Sequence, residues 1–175
     1  SAFAKMPTAT MSNFDICDTI RQAVLLQRIT FDSIDIKLNI PDNEIYLNFD
    51  RRLVSQAIIN LIKNSSESIF DNHKNDNLGQ ITINLIDGKD MVTIQIIDNG
   101  SGFLTDEKEK LLEPYYTTRE MGTGIGLSMV KNIMEAHEGM INLDNKISED
   151  GSLGGAIVEI SISKLLPNNS EKING

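Results

Sequence analysis

Apolar positions in this chain follow two rhythms, one of about three and a half residues and one of two. From Phe14 the spacing is helical, with Ile16, Ile20, Ala23, Val24 and Gln27 on one face and Asp15 placed to cap the start. Ile36, Leu38 and Ile40 then alternate with polar residues before Pro41-Asp42-Asn43, and Ile45, Leu47 and Phe49 alternate after it, which predicts two strands around a turn. Asp50 caps a second helix that repeats apolar pairs at Leu53/Val54, Ala57/Ile58 and Leu61/Ile62. Residues 71–78 are polar and read as a loop. Ile81, Ile83 and Leu85 alternate up to Asp87-Gly88, and Val92, Ile94 and Ile96 alternate after it, the pattern of a β-hairpin. A long stretch from Asn99 to Gly122 has no strong period, and loops of that length in compact domains tend to be lids or binding loops. Helical spacing returns from Thr123 to His137. Strands follow around Met140 to Leu143 and Ile157 to Ile162, separated by the glycine-rich Gly151 to Gly155.

Strands that alternate, rather than run continuously apolar, belong to a sheet with one covered face and one wet face. With helices interspersed and a β-hairpin present, the expected class is α+β, a two-layer α/β sandwich. A doubly wound Rossmann sheet fits this pattern poorly.

The chain's 175 residues suffice for one well-buried core and not for two comfortable ones. A formal net charge of -9 argues against nucleic acid as a partner, because binding DNA nonspecifically needs clustered Lys and Arg. It leaves room for a small anion held by a few local donors. Cys17 is the single cysteine, so neither an intramolecular disulfide nor a cysteine metal cluster is available, which suits a reducing cytoplasm. No apolar run approaches the roughly 20 residues that cross a bilayer, so no direct membrane contact is expected of these residues.

Four segments carry candidate chemistry. Asn60, Asn64 and Glu67 fall at i, i+4 and i+7 of the second helix, a polar stripe that is either a solvated face or a source of hard amide oxygen for Mg²⁺. Asp98 shares the parity of Val92, Ile94 and Ile96 and so points to the core where its strand ends; it needs donors there. Asp98-Asn99-Gly100-Ser101-Gly102 is either a plain turn or a carboxylate beside a backbone that a base can approach. Glu113-Pro114-Tyr115-Tyr116-Thr117-Thr118-Arg119 lies in the presumed lid, and Arg119 suits phosphate oxygens as well as it suits open surface. Gly122-Thr123-Gly124-Ile125-Gly126-Leu127 opens a helix, where exposed N–H groups and the helix dipole favour an anion. The glycine spacing misses the dinucleotide fingerprint, and a Walker lysine is missing. Each segment alone is an ordinary feature; their order and their placement on these elements are not.

Taken together, the segments resemble the catalytic and ATP-binding domain of bacterial sensor histidine kinases, in the superfamily shared with gyrase, Hsp90 and MutL. Asn60 to Ser68 resembles the N box, Asp98 to Gly102 the first glycine box, Leu112 to Arg119 the F box and Gly122 to Leu127 the second glycine box. Gly151 to Ala156 resembles the final glycine segment. The opening Ser-Ala-Phe-Ala-Lys-Met-Pro and the Pro-Tyr-Tyr-Thr-Thr-Arg lid further resemble nitrogen-regulation kinases of the NtrY type.

The resemblance implies a Bergerat fold: a mixed, mostly antiparallel sheet covered on one face by about three helices, with a long ATP lid. It implies ATP and Mg²⁺ as ligands, with Asn64 on the metal and Asn60 beside it. Asp98 would take the adenine amine, and Gly100 and Gly102 would shape the base pocket. Lys63, Thr117, Thr118, Gly122, Thr123, Gly124, Ile125, Gly126 and Leu127 would lie about the nucleotide, with Arg119 as the basic lid residue and Glu67 as a possible proton acceptor. The implied division is a remnant of a dimerisation helix and linker (1–13), the catalytic domain (14–166) and a polar tail (167–175).

The reaction implied is transfer of the γ-phosphoryl to a histidine on a separate dimerisation domain, for relay to a response regulator. The expected setting is cytoplasmic, within an inner-membrane parent, and the expected state is a monomer. Leu112 stands where the F box usually has Phe, and His137-Glu138-Gly139 replaces a common His-Gly-Gly. His73 and His137 fit no phosphoacceptor motif and read as structural or solvent-facing. Rival readings are a nucleotide-binding scaffold without transfer, an ATPase of the MutL or gyrase kind, and a serine kinase of the anti-sigma type.

Overall fold

The computed structural model describes residues 8–72, 78–118, 122 and 124–167. A short strand, β1 (Ser12–Asp15), runs straight into helix α1 (Ile16–Thr30). Asp15 caps that helix as expected, accepting from the N–H groups of Cys17 at 3.0 Å and Asp18 at 3.3 Å. Strands β2 (Ile34–Asn39) and β3 (Tyr46–Phe49) precede α2 (Arg51–Asp71), whose cap Asp50 accepts from the Leu53 N–H at 3.0 Å. The hairpin β4 (Gly79–Asp87) and β5 (Met91–Asp98) leads to a 3₁₀ helix at Lys108–Leu112, then α3 (Gly126–Ala136), β6 (Met140–Ile147) and β7 (Leu153–Ser163).

Five strands form the main sheet in the order β2-β4-β5-β7-β6, with β2 and β4 parallel and the other neighbours antiparallel. Alternation does what the sequence implied. Val92, Ile94, Ile96 and Asp98 are buried under the helices, while Thr93, Gln95 and Ile97 face outward and are only partly covered. On that outer face Asn39 donates to Asn84, and Asn84 to Gln95, each at 2.9 Å, a polar row that suits a wet surface. The core between sheet and helices is built from Ile16, Ile20, Val24, Ile58, Leu61, Ile62, Ile81, Ile83 and Ile133, among others, with essentially no exposure.

One expectation is corrected. The two strands flanking Pro41-Asp42-Asn43 do not pair with each other. Instead β2 joins β4, with Ile36 opposite Ile81, while β3 pairs antiparallel with β1, with Leu47 opposite Phe14. The Asp15 carboxylate accepts from the Ile45 N–H at 3.0 Å, and the Ile16 N–H donates to the Ile45 carbonyl at 2.9 Å, so the helix cap itself draws β3 to β1. Phe14 and Phe49 then meet edge to face at 5.8 Å. The linker expected up to residue 13 accordingly ends inside β1.

His137 is structural. It is fully buried at the end of α3, and its Nε2 accepts the Asp50 N–H at 2.9 Å. Nδ1 therefore carries the proton and donates to the Ile133 carbonyl at 2.7 Å. Burial depresses its pKa below the ordinary 6.5, with the hydrogen bond to Ile133 and the nearby Asp50 charge acting the other way. Asp50 Oδ2 also accepts the Thr10 N–H at 2.7 Å, so the approach to β1, the start of α2 and the end of α3 meet at Asp50. Among the described residues no helix is long and apolar enough to cross a membrane. The expectations for Ser1 to Lys5 and for His73 concern positions outside the described residues.

Candidate functional site

Helix α2 presents Asn60 and Asn64 to the first turns of α3. Asn60 Nδ2 lies 3.3 Å from the Met129 sulfur, and a Cβ built on Gly126 would sit 3.5 Å from both Oδ1 and Nδ2 of Asn64. The polar stripe read from the sequence is thus a helix–helix seam rather than a free face. Glu67 is half-buried one turn further along, and Lys63 is exposed. Ser68, at the end of the N-box segment, holds the next part of the site.

That part is the Asp98 turn. Asp98 is 4% exposed, and its Oδ1 accepts from the N–H groups of Gly100 at 2.9 Å and Ala156 at 3.1 Å. Two backbone donors satisfy one oxygen of this buried carboxyl group and set its orientation. Ser101 N–H donates to Ser68 Oγ at 3.1 Å, which ties the turn to α2. Gly100 is required by that contact, since a Cβ would fall 2.4 Å from Ser68 Oγ and 2.7 Å from its carbonyl carbon. The immediate reason for glycine here is close approach by a helix, rather than by a base. The Ala156 donor left no sequence signal, because a backbone N–H belongs to no residue type.

The lid begins after this turn. Its 3₁₀ helix buries Leu111, which is 7% exposed, and packs Leu112 against the core, so the missing F-box phenylalanine is replaced by a leucine pair. Further on, the Tyr115 N–H donates to the Gly124 carbonyl at 2.9 Å and closes the neck of the loop. Gly124 has φ +71°, and a Cβ there would lie 2.5 Å from the Tyr115 carbonyl carbon. Only glycine fits. Thr117 is half-buried and Thr118 exposed, Gly122 is half-buried, and Arg119 and Thr123 lie outside the described residues. Helix α3 starts after Ile125, whose own side chain makes no cap hydrogen bond, and Gly126 and Leu127 sit where a helix offers N–H groups to an anion.

Residues 49–165 match the family described as histidine kinase-, DNA gyrase B- and HSP90-like ATPases. The chain belongs to this family. Nitrogen regulation protein NtrY of Azorhizobium caulinodans is 42% identical over 149 residues, which are 83% of this chain and 19% of that protein. The chain therefore spans only about a fifth of the length of that relative. The catalytic domain of histidine kinase ThkA superposes with a TM-score of 0.74 at 25% identity, covering 88% of this chain and 97% of that one. ThkA in complex with the response regulator protein TrrA superposes with a TM-score of 0.73 at 24% identity, over 93% of this chain and 44% of that one. The three helices on a mixed, mostly antiparallel sheet are the histidine kinase catalytic fold, and the family's members bind ATP. In this member of the family, α2 brings Asn60 and Asn64 to the first turns of α3 and holds the Asp98 turn through Ser68.

Proposed function

We propose that this domain binds Mg·ATP between α2, the Asp98 turn and the start of α3, and passes the γ-phosphoryl to a histidine on a separate dimerisation domain. The observation that carries the proposal is the Asn64 side chain lying against Gly126, in the first turn of α3, whose N-cap residue Ile125 makes no side-chain cap hydrogen bond. It puts a hard, neutral oxygen ligand beside donors suited to phosphate. Among the described residues no cluster of three His, Cys, Asp or Glu could hold a metal. A divalent ion held by Asn64 together with phosphate oxygens would neutralise charge on the transferred group.

The chain's own work in such a transfer is positioning. Asp98, aimed by its two backbone donors, takes the adenine amine. The N–H groups at the start of α3 hold the phosphates in line for attack. Glu67 accepts or orients a proton of the incoming imidazole. Asn60 is a neutral amide occupied with Met129. It cannot take a proton from water, so transfer is favoured over hydrolysis. The NtrY and ThkA likenesses support relay onward to a response regulator.

Calorimetry with a non-hydrolysable Mg·ATP analogue tests the pocket. Wild type binds, and Asn64→Ala loses the Mg²⁺ dependence. Phosphotransfer to an added histidine-containing dimerisation domain tests the reaction, with Glu67→Gln slowing transfer while leaving analogue affinity intact. A folded wild type that binds no nucleotide with or without Mg²⁺ would return the domain to the scaffold reading.

A further inference from the structure

The turn that carries Asp98 is held at both ends by one strand pair, and at its far end the holder is a side chain. Asn145 on β6 stands opposite Ala156 on β7, the residue whose N–H holds Asp98. Gly155 next to it lies so close that a Cβ would fall 1.8 Å from the Asp98 carbonyl oxygen. Five residues after Asp98, the Phe103 N–H donates to Asn145 Oδ1 at 2.7 Å, and Asn145 Nδ2 donates to the Phe103 carbonyl at 3.0 Å. One amide thus satisfies both polar groups of one backbone residue, as a neighbouring strand would. Gly102, between the two anchors, has φ +73°, and a Cβ there would sit 2.9 Å from Asn145 Oδ1. Adjacent Asp144 meets Lys108 of the lid's 3₁₀ helix at 3.4 Å. Phe103 is therefore the point where the base-side turn ends and the lid departs.

We propose that Asn145 is a positioning residue for nucleotide binding, which pins the root of the lid at Phe103 so that the Asp98 to Gly102 turn keeps its shape for the base. The inference rests on the ATP reading of this pocket. Because the clamp acts at the base end, its loss should weaken every adenine nucleotide alike, whatever its phosphate count. Asn145→Asp keeps an acceptor for the Phe103 N–H but turns a carboxylate oxygen toward the Phe103 carbonyl, so it should do at least as much harm as Asn145→Ala.

The test is calorimetry of wild type, Asn145→Ala, Asn145→Asp and Asn145→Ser with ADP and with a non-hydrolysable ATP analogue, alongside thermal unfolding without nucleotide. Both dissociation constants should rise by the same factor, about tenfold or more for Ala and Asp given the two hydrogen bonds lost or opposed, and less for Ser, which keeps a hydroxyl acceptor. Folded variants with wild-type affinity for both ligands overturn the inference and leave the ATP reading standing. So does a loss confined to the ATP analogue, which would place the effect at the phosphates. If Asn145→Ala does not fold, the Asp and Ser variants decide by the same comparison. A wild type that binds neither nucleotide removes the pocket assignment and this inference together.

Discussion

Asp98→Asn should change which base the domain prefers. In the wild type, Oδ1 accepts two backbone N–H groups at 2.9 and 3.1 Å in a site that is 4% exposed. An asparagine must put its amide oxygen in the same place, because the flipped side chain would set an NH₂ against two buried donors at about 1–3 kcal/mol for each group left unsatisfied. The NH₂ then occupies the position of Oδ2, and if that oxygen is the one Asp98 turns to the adenine amine, donor faces donor. Losing a hydrogen bond to a charged acceptor costs about 1.5–3 kcal/mol, so ADP should bind about 10- to 150-fold more weakly. Hypoxanthine carries an acceptor where adenine carries the amine, so IDP, disfavoured by the wild-type carboxylate, should gain relative to ADP by about a hundredfold. Calorimetry with both nucleotides reads the ratio, and thermal unfolding confirms that the variant is folded. Undiminished ADP affinity would refute the reasoning, as would equal loss of ADP and IDP.

Three further outcomes follow from particular contacts. Gly124→Ala must hold φ +71° and push its Cβ into the Tyr115 backbone, so the lid neck opens; affinity for an ATP analogue should fall about tenfold or more, and unchanged affinity in calorimetry would show that the neck does not shape the site. His137 has a folded pKa below its unfolded 6.5, so the unfolded chain takes up a proton that the folded one resists, and stability is lost as pH falls below about 6.5 with a slope of at most about 1.4 kcal/mol per pH unit. Urea melts between pH 7.5 and about 5 should show the wild type losing stability that His137→Gln does not lose; parallel curves would contradict the assignment of a neutral buried ring. Glu138 has φ +49°, a conformation costing a non-glycine residue about 1–2 kcal/mol, against about 0.5–1 kcal/mol for glycine's extra backbone freedom. Glu138→Gly should therefore be neutral to stabilising by about 1 kcal/mol in thermal melts, and clear destabilisation would mean that the Glu138 side chain does something the turn geometry does not show.

Much of the site was legible before the fold was known, and the reason is locality. Helix starts at Asp15 and Asp50 depend on N–H groups two or three residues away, so the caps could be read directly. The burial of Asp98 followed from strand parity alone, since side chains alternate with period two. The grouping of motifs came from resemblance, and the structure sets Asn64 beside Gly126. Other features depend on pairings that local periodicity does not encode. Nothing local says that β2 joins β4 rather than β3, because alternation marks a strand without naming its neighbour. Ser68 and Ser101 are 33 residues apart, Asn145 and Phe103 are 42 apart, and His137 and Asp50 are 87 apart. Loop-closure entropy grows only slowly with such separations and so discriminates weakly among partners. The chain by itself determined its elements and the residue types offered to a nucleotide. Close packing of α2, the sheet and the β6–β7 pair decided which backbone and side-chain groups hold those residues in place.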